Sequence, residues 1–514
     1  MDRRQFLKMV SASLFAATSL PSIVDARKKK NQPNIVVIMA DDMGYSDIGC
    51  YGGEINTPNL DSLASGGMRF KQFYNCAKCS PTRASLLTGN YEQAVGVKNM
   101  EYGATFAEVL RPAGYRTIAS GKWHQNPLPT TRGFDRYFGL ADGCCNFWNP
   151  GTKARPGEPA PGRKRPAPRR WAIEGKAIMG YVPEQKDFYT TDAFTQYAID
   201  RLDEYKNEDK PILLYLPFTA PHYPLHVWPE DIAKYRGKYM VGWDKIRETR
   251  YKRQIEIGML NPKFKNSPRD EGVKKWDSLS KSKQEAEDLK MAVYAAMIER
   301  MDYGIGRIFA KLKEIGRWKN TLVLFLSDNG GCPETPDTTP DIPPGPLEGY
   351  RALGPAWANA SNTPYRKYKS TDYEGGNCTP FIAHWPAVIK PGQKTDQVGH
   401  IIDILPTFMD ITGAAYPDQI DGRKLKRPIG KSLLPIFKGK KRKTHYVLYW
   451  QFGRGKAIRM GNFKLVKYGN SDWELYDMAE DRTELNDLAA QFPERAKKMS
   501  QMWEQWRANV GRKI

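Results

Sequence analysis

Two apolar runs limit the folds open to this chain. Asn34-Ile35-Val36-Val37-Ile38-Met39-Ala40 and Leu322-Val323-Leu324-Phe325-Leu326 are apolar at consecutive positions, not at alternate ones. A strand with one wet face alternates apolar and polar side chains, so these strands belong in a sheet covered by helices on both faces. The intervening chain supplies those helices. Its spacing predicts helices over residues 59–66, 105–113, 192–205 and 283–312, and further strands over 115–119 and 212–216. Short β-branched runs alternating with longer amphipathic stretches specify an α/β fold, a sheet sandwiched by helices. No internal repeat is present.

The pattern changes near residue 438. Tyr446-Val447-Leu448-Tyr449-Trp450 and residues 456–459, 463–468 and 473–476 read as short strands separated by Gly, Asn and Asp turns, and residues 493–510 as one amphipathic helix. We therefore expect a main domain over 32–437 and, over 438–514, a small C-terminal antiparallel sheet plus helix. Residues 332–363, rich in Pro and Gly, read as a loop over the site.

The chain opens with Met1-Asp2-Arg3-Arg4-Gln5-Phe6-Leu7-Lys8, then a short apolar, small-residue stretch and a cleavage site after Val24-Asp25-Ala26. Residues 1–26 thus read as a signal peptide too short to span a membrane, with a retained signal anchor as the rival reading. The Arg3-Arg4 pair resembles a twin-arginine signal, which implies the twin-arginine export machinery as a partner and a periplasmic or secreted location. No other run is long and apolar enough for a membrane span, so none is expected in the mature protein.

A formal charge of +22 favours acidic partners. Residues 153–170 hold seven basic side chains and one acid, Glu158, and residues 438–443 form a second basic run. These are either solvated loops or the wall of a substrate groove. No nucleic-acid motif accompanies them, so nucleic acid is set aside. Seven cysteines are too few for a disulfide scaffold in 514 residues.

Chemistry-bearing residues gather just beyond the strand ends, where α/β sheets bind ligands. Asp41-Asp42 follow one buried run and Asp328-Asn329 the other. Either pair alone could cap a helix; together they offer a hard-oxygen set suited first to Ca²⁺ and second to Mg²⁺. Lys122 and His124 follow the strand at 115–119, His222 follows that at 212–216, and Lys369 precedes Glu374-Gly375-Gly376. Cys79-Ser80-Pro81-Thr82-Arg83 opens a further helix, with Ser80 as its cap, Pro81 at its first turn and Gly89 at its end. Free N–H groups there favour an anion, and Arg83 can lie over the same spot. Cys76-x-x-Cys79 could be half of a zinc or redox site, but no second ligand pair exists.

Cys79-x-Pro81-x-Arg83 is similar to the maturation motif of the formylglycine-dependent sulfatases. Blocks at 34–51, 79–91, 121–124, 132–139, 220–225, 327–330 and 373–376 resemble that family in its own order, and so does the tail around Trp473-Glu474-Leu475-Tyr476-Asp477. The resemblance implies a mixed sheet like that of alkaline phosphatase, and a sulfuric ester hydrolase acting on a sulfated carbohydrate or aryl sulfate. It implies calcium held by Asp41, Asp42, Asp328 and Asn329, together with position 79. Cys79 would be converted to formylglycine (3-oxoalanine) by a maturation enzyme, with Arg83 stabilising it. Lys122, His222 and Lys369 would bind substrate, and with His124 and Asp328 take part in catalysis. Gln125-Asn126 depart from the family's usual Leu-Gly. Two other readings stand beside this one: a phosphonate monoester or phosphodiester hydrolase using the same modified cysteine, and a non-catalytic basic polysaccharide-binding protein.

Overall fold

The computed structural model describes residues 32–512; the signal-peptide reading therefore falls outside the described residues. Asn34–Ala40 and Thr321–Ser327 are strands with no exposed residue, at the centre of a ten-stranded sheet. From one edge the order is Gln393–Thr395, Met68–Phe70, Phe381–His384, Thr321–Ser327, Asn34–Ala40, Ile212–Pro217, Arg116–Ser120, Arg136–Leu140, Arg170–Ile173 and Lys176–Met179. The five strands from Thr321–Ser327 to Arg136–Leu140 run parallel, and antiparallel strands flank them on both sides, which makes the sheet mixed.

Each central strand feeds two cores because successive side chains point to opposite faces. Val36, Ile38 and Ala40 pack with the helices Pro58–Ser65, Thr190–Glu204 and Lys281–Glu314. Ile35, Val37 and Met39 pack with Cys79–Thr88, Phe106–Leu110 and Ile404–Thr412. The helix expected over 105–113 is shorter than its pattern. Thr105 and Glu108 close a reciprocal capping box, but Pro112 has no N–H to continue the hydrogen-bond ladder. The expected loop 332–363 also contains a helix, Pro355–Ser361, started by a proline in its first turn.

The C-terminal strands Val447–Trp450, Gly455–Met460, Phe463–Tyr468 and Glu474–Asp477 form an antiparallel sheet. One face, with Ile458, Leu465 and Leu475, packs on Met499 and Trp503 of the helix Pro493–Val510. The other face contributes Leu448, Trp450, Ala457 and Val466 to the main core. At that junction Lys464, fully buried, lies 2.9 Å from Glu374 and 2.8 Å from Glu484. Burial and the neighbouring Glu374 push the Glu484 carboxyl up to about 7, against the pull of Lys464. Lys464→Ala leaves two buried carboxyls with only Arg482, 3.5 Å from Glu374, beside them, and should cost about 3 kcal/mol in a denaturant titration. Adding Glu484→Gln should recover part of that loss.

Candidate active site

The site follows from strand register. Ala40 pairs with Ser327 across two parallel strands, so Asp41 and Asp328 leave the sheet side by side. The next strand over, Ile212–Pro217, delivers residues 218–222, and the Asp41 N–H donates to the Ala220 carbonyl at 3.0 Å, which draws His222 to the same edge. Lys122 comes from the strand Arg116–Ser120 through Gly121, whose φ is +129°; a Cβ there would sit 2.0 Å from the Pro217 carbonyl oxygen, so only glycine fits this crossing. All of these positions lie at the carboxyl ends of parallel strands, as expected.

Cys79 enters from the other side. Its helix, Cys79–Thr88, begins earlier than the sequence suggests: Lys78 is the N-cap position, and Ser80 and Pro81 lie inside the first turn. Ser80 therefore does not cap the helix; its hydroxyl donates to the His124 carbonyl at 3.4 Å. Gln125 donates from its amide to the Ser80 carbonyl at 2.5 Å, so this departure from the family pattern ties the helix start to the Lys122–His124 segment. Gly89 ends the helix in the left-handed region, as expected.

The side chains converge. The Cys79 sulfur and carboxylate oxygens of Asp41 and Asp328 all lie within 4.8 Å of one another, and a second such group joins Asp41, Asp42 and His222. Arg83, completely buried, donates to Asp328 Oδ2 at 2.8 Å and to the Lys122 carbonyl at 2.7 Å, fixing both strand ends to the cysteine helix. Lys122 Nζ lies 2.5 Å from Asp41 Oδ2, and Lys369 Nζ 2.7 Å from Asp42 Oδ1. His222 donates from Nδ1 to the Tyr223 carbonyl at 2.6 Å and sets Nε2 3.4 Å from Asp42. His124 has a left-handed backbone, φ +57°, and a buried Nδ1 with no hydrogen-bond partner among the described residues. The matching glycine is Gly143, where a Cβ would press on the His124 ring at 2.8 Å.

The electrostatics divide the two adjacent carboxyls. Burial pushes both up. At Asp42 the positive neighbours, His222 whenever it carries a proton together with Lys369 and Lys122, outweigh burial and hold the group below the usual carboxylate range. At Asp41 burial, with the repulsion of Asp328 and Asp42, outweighs Lys122 and leaves the carboxyl above that range. Burial also pushes both His124 and His222 well below the ordinary imidazole range; Lys122 adds to the effect at both, and Asp42 opposes it at His222.

A hard cation fits the donor set. Asp41 Oδ1 and Asn329 Oδ1 are buried oxygens without a hydrogen-bond partner among the described residues, beside the carboxylates of Asp42 and Asp328. Three carboxylates already face three buried cations, Arg83, Lys122 and Lys369. A divalent ion would therefore enter most favourably together with added negative charge. Anionic substrate can bring that charge through a cavity of about 400 Å³ that opens over Cys79, His124, His222 and Lys369.

His226 is fully buried, with Nε2 2.7 Å from the Gly349 carbonyl, and serves the packing. In the second basic run Arg442 is buried on Asp403 at 2.8 Å, a structural contact, not a groove. The first run does reach the cavity, through Lys164, Arg165 and Arg169. Sequence reasoning missed Lys78, Tyr223 and Glu334, which join there: Glu334 lies 2.6 Å from both Lys78 Nζ and the Tyr223 hydroxyl. Lys78 adjoins Cys79 and was visible as a neighbour; Glu334, inside the Pro- and Gly-rich segment, gave no signal. All seven cysteines are free, and no helix of the described residues is long and apolar enough to cross a membrane.

Known proteins match along nearly the whole described chain. The family model described as Sulfatase matches residues 33–414, and that described as N-sulphoglucosamine sulphohydrolase, C-terminal, matches 368–510. An uncharacterized sulfatase of Schizosaccharomyces pombe is 34% identical, covering 94% of this chain and 95% of its own. An arylsulfatase of Klebsiella aerogenes is 32% identical over 80% of this chain and 94% of its own. Among solved structures, that of Ps i-CgsB in complex with k-i-k-neocarrahexaose aligns with a TM-score of 0.67 at 24% identity, covering 94% of each chain. At that identity the likeness concerns the fold.

Proposed function

The chain belongs to the sulfatase family, and we propose that it removes sulfate from a sulfated carbohydrate or aryl sulfate using a formylglycine made from Cys79 and a bound calcium ion. The observation that carries this is the placement of Cys79: its sulfur shares one buried pocket with Asp41 and Asp328, under an open cavity edged by His124, His222 and Lys369. Asp41, Asp42, Asp328 and Asn329 would hold the ion, whose charge would favour an oxyanion at position 79 and on the sulfate. A converted, hydrated position 79 would supply two hydroxyls, one to attack sulfur and one to let sulfate leave again.

The chain's own residues then have distinct tasks. Arg83 and Lys122 keep positive charge beside position 79, and Lys122 and Lys369 offer ammonium groups to sulfate oxygens, where charge builds as sulfur is attacked. Asp328 can accept the proton of the attacking hydroxyl. His222 donates Nδ1–H to the Tyr223 carbonyl, so Nε2 is the atom left to protonate the departing alcohol oxygen. The arriving sulfate's negative charge favours a proton there. His124 is kept neutral by burial and its Nδ1 has no partner, which suits it to remove the proton of the second hydroxyl. In this reading residues 32–437 form the catalytic domain and 438–514 the C-terminal subdomain, and residues 1–26 direct export.

Mass spectrometry of the Cys79 peptide, from protein produced alongside a maturation enzyme, tests the mechanism. An aldehyde at position 79 is expected; an unmodified thiol, with a known sulfatase converted in parallel, would sink it. Matched rates on an aryl sulfate and a phosphonate diester then separate the two enzymatic readings. A clear preference for the phosphonate would overturn the sulfate reading.

A further inference from the structure

The cavity over Cys79 carries more positive charge than one sulfate needs. Besides Lys369 it is lined by Lys78, Lys98, Lys164, Arg165 and Arg169, against two carboxylates, Asp142 and Glu334. Glu334 is already occupied: it lies 2.6 Å from Lys78, 3.6 Å from Lys164 and 2.6 Å from the Tyr223 hydroxyl. Asp142 accepts from the Arg170 backbone N–H at 2.6 Å. Among the described residues no carboxylate lies within 4.0 Å of the charged groups of Lys98, Arg165 or Arg169; the Arg169 guanidinium touches the Cys144 thiol at 3.7 Å. Burial pulls Lys98 below the ordinary lysine range; Lys122 and Arg170 add to the effect, and Cys79 and Asp142 oppose it.

Three cations around one opening, none of them ion-paired among the described residues, form a receptor for an anion, and two of them are guanidinium groups, whose planar fork suits sulfate and carboxylate alike. The scissile sulfate has its own partners deeper in the site, Lys122 and Lys369. We propose that the cavity takes a saccharide carrying a second anionic group, sulfate or carboxylate, beside the scissile sulfate, held by Lys98, Arg165 and Arg169. This rests on the sulfatase reading of the same site and narrows its substrate class. The basic run of residues 153–170 then acts as a recognition wall, and the affinity it provides falls as salt rises.

The test compares the matured full-length chain on three matched substrates: a hexosamine with one sulfate, the same hexosamine with two, and the monosulfated unit joined to a uronate. A second anion should raise kcat/KM by about tenfold, chiefly through KM, as several charge-assisted contacts at a cavity mouth do together. The larger gain, with sulfate or with uronate, identifies the second group. Arg165→Ala with Arg169→Ala should remove most of that gain, with a much smaller loss on the monosulfated sugar, and Arg165→Lys with Arg169→Lys should keep part of it. Equal kcat/KM for one and two anions, or equal losses on all substrates, would overturn the proposal. Calorimetric binding of the same sugars to Cys79→Ala protein needs no turnover. The disulfated sugar should bind more tightly, and the advantage should vanish with both arginines replaced. If the matured chain turns over no sulfate ester, the sulfatase reading fails, and this binding comparison still decides the receptor.

Discussion

Cys79→Ala should give a folded protein whose sulfate-ester turnover is lower by roughly 10⁴–10⁶-fold, the scale on which losing a covalent nucleophile is felt. Folding should survive because little else depends on this side chain. The helix Cys79–Thr88 is held by Leu86 and Leu87 in the core and by Arg83 on Asp328, not by the sulfur. Alanine is a good helix former, and removing one buried sulfur leaves a small void. Thermal unfolding should therefore shift little while activity disappears. Cys76 supplies the contrast. It is also buried, with Sγ 3.4 Å from the Ser85 hydroxyl and Glu92 beside it, and it is not grouped with Asp41 and Asp328 as Cys79 is. Cys76→Ala should keep its turnover. A zinc or redox pair at Cys76-x-x-Cys79 would make the two substitutions equally damaging, and a Cys79→Ala protein with normal turnover would end the nucleophile assignment.

Much of the site is legible in the sequence, because strand ends are marked by local pattern. Ile35 to Ala40 and Leu322 to Leu326 announce buried strands, and the acids after them can only emerge at the sheet's edge. Their meeting depends on register, Ala40 opposite Ser327, which no local spacing specifies. The helix start at Cys79 was misplaced because Ser-Pro is a strong local start signal, whereas the actual start is fixed by tertiary contacts such as Gln125 on the Ser80 carbonyl. Glu334 was invisible for a related reason. Its role comes from Lys78 and Tyr223, 256 and 111 residues away in sequence. The basic run 153–170 was legible as charge but not as a site wall, since composition does not reveal which face a Pro- and Gly-rich loop presents.

Calcium removal should be the other large effect, with a signature that distinguishes an ion from mere charge balance. Chelation should lower kcat/KM by about 10³-fold, since an ion at an oxyanion supplies several kcal/mol of charge stabilisation. The cause lies in the donor set: Asp41 Oδ1 and Asn329 Oδ1 are buried with no hydrogen-bond partner among the described residues, so an ion gives these oxygens what the protein does not. Yet Arg83, Lys122 and Lys369 already neutralise the three carboxylates. A dication alone adds net charge to a buried pocket; a dication with sulfate does not. Calcium and sulfate should therefore bind cooperatively, each tightening the other by the same factor, about tenfold, as linkage requires. Calorimetry on the matured chain, titrating calcium with and without inorganic sulfate and then the reverse, measures both arms, since free sulfate is not turned over. Asp328→Asn should weaken calcium binding and reduce the coupling together. Independent binding would place the ion outside this pocket, and a chelated enzyme with full activity would remove it from the chemistry.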